Sequence, residues 1–129
     1  MEKETFKLVQ ELPQDSTGYE HVRMEASVTR FIVNFVYRDE NTRTDRQGKI
    51  VFDDVSAFRF CDEFQVDIPD VVNSESVYEV MGSEWKTALQ ITEPPDIDGV
   101  SGKKHYVVWF SDNGYLEVIC GRLDVQVEQ

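Results

Sequence analysis

Two charged side chains interrupt otherwise apolar stretches of this sequence. Arg59 lies between Phe58 and Phe60, and Glu117 lies in a β-rich run near the end of the chain. Either each side chain points to solvent, or the two form a hydrogen-bonded ion pair inside or at the mouth of a sheet. In the second case we expect a pocket for a small ligand or a substrate. Its mouth and walls would be formed by Arg59, Glu117, Trp85, Trp109 and Tyr106.

A second feature is a stretch with many acidic residues and no Lys or Arg. It contains seven acids, namely Asp62, Glu63, Asp67, Asp70, Glu75, Glu79 and Glu84. Such a run is usually a solvated face. The functional alternative is a docking surface for a basic partner, because a field of one sign accelerates encounters with a partner of opposite charge.

Nucleophilic, metal and phosphate chemistry lack their usual residue patterns. Nucleophilic catalysis needs a Ser or Cys beside an oriented base, and the two histidines, His21 and His105, stand in no such motif. We expect His105, at the start of a strand, to bond to the backbone or a carboxylate. Asp96, Asp98 and Gly99 match a fragment of a calcium loop without its remaining ligands. The sequence predicts no catalytic residue, metal ligand or cofactor, and favours a protein that is not an enzyme.

The composition limits the fold and the partners. The chain has 129 residues, for which we expect one domain, 1–129, and its 13 Lys and Arg against 25 Asp and Glu give a net charge of −12. This balance disfavours nucleic acid and anionic lipid as partners. The N-terminus lacks the apolar core of a secretory signal, so the expected location is the cytoplasm. Cys61 and Cys120 are expected to be reduced, buried thiols of apolar strands.

The elements that must position these residues are mostly strands. Hydrophobic alternation predicts either one strand over 21–37 or two strands broken near Thr29. Further strands are predicted at 49–52 and 57–64, separated by a turn at Asp53 and Asp54. Short connections favour antiparallel pairing. The predicted fold class is mainly β (α+β), an antiparallel curved sheet, sandwich or small barrel of about seven or eight strands with one short helix.

The helix and the last hairpin have the clearest local signals. Ser83 is a predicted N-cap for a helix over 84–90, with Trp85 on its buried face. Asn113 and Gly114 favour a two-residue hairpin turn, which would place Trp109 opposite Val118. An exposed face of Val107, Trp109 and Val118 would then allow a structural homo-oligomer to form around a two-fold axis.

Three segments taken together resemble a group of small, uncharacterised bacterial cytosolic domains, some of which look like immunity proteins encoded beside secreted toxins. The resemblance covers roughly residues 50–125, with segments that read Phe52-x-x-Val55-x-x-Phe58-Arg59-Phe60, Tyr78-Glu79-Val80-x-x-Ser83-x-Trp85 and His105-Tyr106-x-x-Trp109-Phe110-x-Asp112-x-Gly114-x-x-Glu117-Val118. It implies a strand, a Ser-capped helix with a packed Trp and a closing hairpin. It implies no catalytic residues.

The leading hypothesis from the sequence is a non-enzymatic acidic binding protein, in particular an immunity-type inhibitor of a basic partner protein. The compact size, the net charge of −12 and the acidic stretch support it. The alternatives are a small-ligand-binding β-barrel or enzyme with a pocket near Arg59 and Glu117, and a structural homo-oligomer. We expect no nucleic acid and no membrane as partners, and either a monomer or a homodimer.

Overall fold

The computed structural model describes residues 4–13, 19, 21–62, 64–92, 102–111 and 113–127. Within these ranges the elements are β1 (Thr5–Glu11), β2 (His21–Ala26), β3 (Arg30–Asp39), β4 (Thr44–Cys61), β5 (Ser76–Met81), α1 (Glu84–Thr92), β6 (Lys104–Phe110) and β7 (Gly114–Val127). The strands form one antiparallel sheet of seven strands in the order β1-β5-β6-β7-β4-β3-β2. The predicted antiparallel, mainly β fold with one short helix is confirmed.

An aromatic core shows that the sheet is strongly curved. The Phe35 ring of β3 stacks on Tyr19 with 4.7 Å between centroids, and its centroid lies 6.5 Å from that of Phe110 in β6. Two strands, β7 and β4, separate β6 from β3 in the sheet, which would hold them about 14 Å apart if it were flat. The curvature therefore brings one face together around the core. The sheet is not closed into a barrel, because β1 and β2 remain its two ends.

Strand β4 differs from its prediction. The expected turn at Asp53 and Asp54 is instead a β-bulge inside a single strand, where the register with β7 shifts between Val55 and Ala57. Asp54 adopts a φ of 58° there, and Val55 donates its N–H to the Thr29 carbonyl at 2.9 Å. A bulge bends a strand without ending it. β4 therefore pairs with β3 from Thr44 to Asp53 and with β7 from Gly48 to Cys61.

The region 21–37 contains two strands, as the second of the two predicted alternatives had it. β2 and β3 are separate strands joined by a tight turn, in which Ser27 donates its N–H to the Arg30 carbonyl at 2.8 Å. The predicted helix is also present, and it extends to Thr92 rather than ending near residue 90.

The last hairpin has a longer connection than the sequence predicts. Phe110 pairs with Gly114, so three residues connect the strands, and Trp109 faces Tyr115 rather than Val118. Gly114 has a φ of 146°, and the ring of Phe60 lies only 2.3 Å from the position of a Cβ there. The glycine therefore serves as the first residue of β7 under an aromatic ring, and not as the second residue of a two-residue turn.

This register has consequences for two expected surfaces. Val107 and Val118 are both buried within the chain, so the exposed dimerisation face predicted from them and Trp109 is wrong. Both thiols are free, but only Cys120 is buried; Cys61 is exposed, contrary to prediction. Among the described residues, no helix is long and apolar enough to span a membrane.

Candidate functional site

The face of the sheet opposite the aromatic core carries the charged residues singled out in the sequence. Strand register places Arg59 directly opposite Glu117 and His105 opposite Val80. Helix α1 contributes Trp85, whose ring meets the His105 ring edge-on at 5.2 Å between centroids. Five elements therefore contribute to one cluster: β4, β5, β6, β7 and α1.

Arg59 and Glu117 form a bidentate ion pair. Arg59 donates from Nε to Oε2 at 2.6 Å and from Nη2 to Oε1 at 3.2 Å. The Glu117 side chain is 13% exposed, against 49% for Arg59. The pair therefore lies at the mouth of a partly enclosed region, and the alternative in which each charge points separately to solvent is wrong.

Electrostatics around this pair favour the charged forms of both residues. The hydrogen bond to Glu117 raises the pKa of Arg59. Burial alone would raise the pKa of Glu117, but hydrogen bonds from His105 and Arg59 outweigh it and hold that pKa below the usual range of a glutamate. The Arg59 guanidinium also lies 4.2 Å above the centroid of the Trp85 ring, a cation–π contact. Glu117 is therefore an ionised acceptor with two donors.

A chain of buried hydrogen bonds links this pair to the start of α1. His105 Nε2 lies 2.9 Å from Glu117 Oε1, and its Nδ1 lies 2.7 Å from Ser83 Oγ. The ionised carboxylate can only accept, so Nε2 donates to it. In the neutral ring Nδ1 is then the acceptor for the Ser83 hydroxyl proton. Ser83 Oγ in turn accepts the Lys86 N–H at 3.0 Å, which confirms the predicted N-cap.

This order of side chains resembles a nucleophile, a base and an orienting acid, but the geometry favours a structural role. Ser83 is only 6% exposed, and His105 only 2%. The Ser83 oxygen already caps the helix, and its hydroxyl already donates a hydrogen bond to His105. A nucleophile must instead present its oxygen to a substrate carbon. The chain therefore ties α1 to β6 and β7 and fixes the position of Glu117.

A pocket of about 410 Å³ opens beside the ion pair. Its walls come from β1, β4 to β7, α1 and the segment before β5. They consist of Glu4, Phe6, Arg59, Val66, Asp67, Pro69, Val80, Glu84, Trp85, His105, Tyr115 and Glu117. Of the predicted pocket residues, Arg59, Glu117 and Trp85 meet here.

The other two predicted pocket residues lie elsewhere. Tyr106 belongs to the aromatic core on the opposite face of the sheet, and Trp109 packs beside Tyr78 and Val107 without lining the pocket. The error in the hairpin register accounts for Tyr106, whereas Trp109 lies on the same face as His105 and Glu117 but outside the pocket lining.

Glu4 and Tyr115 are site residues that the sequence analysis missed. Only the pairing of β1 with β5 brings Glu4 here. Tyr115 lies two residues before Glu117 in β7 and shares its face by strand alternation, a signal that the sequence already contained.

The seven acids of the stretch from 62 to 84 do not form one continuous surface. Asp62, Asp67, Asp70 and Glu84 are exposed. Glu75 is buried and accepts the Ser111 N–H at 2.9 Å, so it is not available for docking.

The remaining members of that set differ as well. Glu79 is half-buried, 3.7 Å from the Lys104 ammonium, and Glu63 lies outside the described residues. Two of the exposed acids, Asp67 and Glu84, line the pocket. Glu4 joins them and accepts the Glu84 N–H at 3.0 Å. The acidic stretch and the pocket, which the sequence presented as separate features, therefore share a rim.

A larger depression of about 650 Å³ lies on another part of the sheet. Its lining includes His21, Arg23, Asn34, Gln47 and Asn113 and none of the predicted site residues. Hydrogen-bonded ionisable groups converge on the smaller pocket, whereas the larger depression has no such cluster among its described lining residues. Size alone does not identify a site, so we take the smaller pocket as the candidate site.

The described residues contain no group of three or more His, Cys, Asp or Glu side chains that could hold a metal ion. Comparison with protein-family models, with curated proteins and with solved structures finds no match for this chain.

Proposed function

We propose that this protein binds a basic partner protein through the rim of the pocket formed by α1, β1 and the strands beneath them. The observation that carries the proposal is the charge at this rim. Arg59 and Glu117 neutralise each other as a bidentate pair. The carboxylates of Glu4, Asp67 and Glu84 then give the pocket lining a net negative charge.

The accessibility of two of these acids is consistent with the same proposal. Asp67 and Glu84 are exposed and have no ion pair within the described part of the chain, as is also true of exposed acids away from the pocket such as Glu25 and Asp124. Unpaired carboxylates at a concave rim can meet cations of a partner without breaking existing pairs. The net charge of −12 would accelerate that encounter.

An immunity-type inhibitor is the specific form of this proposal. Such a protein needs a compact scaffold, a rigid binding face and charge complementarity to a basic target, and it needs no catalytic group. The buried Ser83–His105–Glu117 chain supplies the rigidity, because it fixes the helix that carries Glu84 and Trp85. The resemblance to immunity-like bacterial domains supports this form.

The proposal is tested by capture from lysate of the source cell, and with the product of an adjacent gene, at low and moderate salt. The bait is compared with two charge-matched double variants. Asp67→Asn/Glu84→Gln removes two rim carboxylates, and Glu25→Gln/Asp124→Asn removes two exposed carboxylates that do not line the pocket. We expect a stoichiometric basic protein that the wild type and the second variant retain equally and that the rim variant retains less well. A partner bound equally by all three baits would contradict the assignment of the surface.

A small-ligand-binding protein is the second candidate. The pocket volume of about 410 Å³ favours it, because pockets for small molecules typically measure about 300–1,000 Å³. Screening a fragment library by NMR discriminates between the two functions. A neutral or anionic small molecule that binds tightly beside Trp85 would favour this second candidate over the basic protein partner.

A further inference from the structure

We propose that the pocket receives one arginine side chain of the partner, with its guanidinium held between the rim carboxylates and the hydroxyl of Tyr115. This inference rests on the proposed function and specifies the group that the site recognises. It depends on Tyr115, which belongs to neither the ion pair nor the acidic stretch.

Tyr115 has a buried ring and an unused polar group. The residue is only 4% exposed and lines the pocket. Its hydroxyl makes no hydrogen bond within the described part of the chain. Among the described residues, every fully buried side-chain nitrogen or oxygen has a hydrogen-bond partner. Because the Tyr115 hydroxyl has none, it is not fully buried, and it is accessible from the pocket that the residue lines. A tyrosine hydroxyl normally has a hydrogen-bond partner, and an occupant of the pocket can supply it here.

The surroundings of Tyr115 select a donor that carries positive charge. Burial raises the pKa of Tyr115, and the charges of Glu117 and Glu4 raise it further. The phenol is therefore neutral at physiological pH and its oxygen can accept a hydrogen bond. Glu4, Asp67 and Glu84 add only acceptors to the same lining. An occupant that satisfies this set must present several N–H groups and a positive charge.

A guanidinium fits this set better than an ammonium. It is planar, it offers five N–H donors in a fixed fork, and it is more weakly hydrated than the lysine ammonium. The pocket lining also includes the aromatic residues Phe6 and Trp85. The chain's own Arg59 covers one face of Trp85 at 4.2 Å from the ring centroid. The site therefore already accommodates one guanidinium group against an aromatic ring.

The test is an NMR titration of the protein with a capped arginine peptide, followed through the indole signal of Trp85. The matched ligands are the same peptide with lysine and with citrulline, which keeps the shape of arginine but lacks its charge. We expect saturable shifts with arginine, weaker binding of lysine and no binding of citrulline. Equal responses to arginine and citrulline would overturn the inference.

Two conservative variants locate the binding. Tyr115→Phe removes only the hydroxyl and should weaken arginine binding by roughly ten- to a hundredfold, the fold-change expected for one hydrogen bond to a charged group. Tyr106→Phe removes a hydroxyl from the opposite face of the sheet and should leave binding unchanged. Equal affinities of the wild type and Tyr115→Phe would overturn the role of Tyr115.

The two proposals fail in distinguishable ways. If the basic partner depends on Asp67 and Glu84 but binds Tyr115→Phe and the wild type equally well, the arginine inference is wrong and the proposed function stands. If the arginine peptide binds beside Trp85 but no partner depends on the rim, the pocket recognises guanidinium groups and the protein-binding proposal is wrong.

Discussion

Replacing Ser83 should destabilise the protein far more than replacing an ordinary serine, because two buried groups lose their partner at once. Ser83→Ala leaves the Lys86 N–H without its cap, which costs about 1 kcal/mol. It also leaves His105 Nδ1 without a hydrogen bond in a site where the ring is 2% exposed, which costs about 1–3 kcal/mol. We therefore expect the free energy of unfolding to fall by about 2–4 kcal/mol.

The assay is urea unfolding followed by tryptophan fluorescence and circular dichroism. Ser27→Ala is the matched control, because its hydroxyl is exposed and bonds only across a turn at 3.3 Å; its effect should stay within about 0.5 kcal/mol. Ser83→Thr keeps the hydroxyl and should recover most of the loss. If Ser83→Ala changed the free energy of unfolding no more than Ser27→Ala does, the Ser83–His105–Glu117 chain would not stabilise the fold.

Three other predictions concern separate parts of the structure. Hydrogen bonds from His105 and Arg59 outweigh burial and hold the pKa of folded Glu117 below its value in the unfolded chain. The contribution of Glu117 to stability is therefore present above the unfolded pKa and is lost as the pH falls through the folded pKa. The difference in unfolding free energy between the wild type and Glu117→Gln should therefore shrink on acidification, and a constant difference would refute the lowered pKa. Gly48→Ala should destabilise by about 1–3 kcal/mol in urea unfolding, because the new Cβ would lie 2.1 Å from Phe35 Cζ, whereas Gly102→Ala meets no atom within 4 Å and should be neutral. A thiol reagent should modify exposed Cys61 in the native protein and spare buried Cys120, whose pKa burial raises to about 12; labelling of both thiols before unfolding would contradict this.

Local signals were sufficient for the helix and its cap. Ser83 follows Gly82 and precedes an amphipathic segment, and the cap depends on residues close in sequence. The position of Trp85 on the inner face of the helix follows from the same segment, although its ring contacts, Arg59 and His105, are distant in sequence. These features were predictable because helix initiation is decided within one turn. The same holds for the antiparallel character of the sheet, which follows from short connections between strands.

Long-range register was not predictable from these signals. The bulge at Asp54 looks like a turn in the sequence. In the last hairpin, Trp109 pairs with Tyr115 instead of Val118, so the register of β6 against β7 differs from the expected one by three positions. An odd shift exchanges the two faces of a strand. The sequence therefore indicated that Arg59 and Glu117 could pair, but placed Tyr106 on the wrong face. Tyr115 shares the face of Glu117 in any register, because the two are two residues apart in one strand.

The central claim is that the carboxylates at the pocket rim bind a basic partner protein, and the most direct test is its affinity for the two charge-matched double variants, measured by calorimetry at low salt. We predict that Asp67→Asn/Glu84→Gln weakens binding by roughly two- to thirtyfold, from about 0.2–1 kcal/mol for each exposed charge. Glu25→Gln/Asp124→Asn should bind as the wild type does. Equal affinity of the two double variants would contradict the claim, because the carboxylates of the pocket rim would then contribute no more than exposed carboxylates elsewhere.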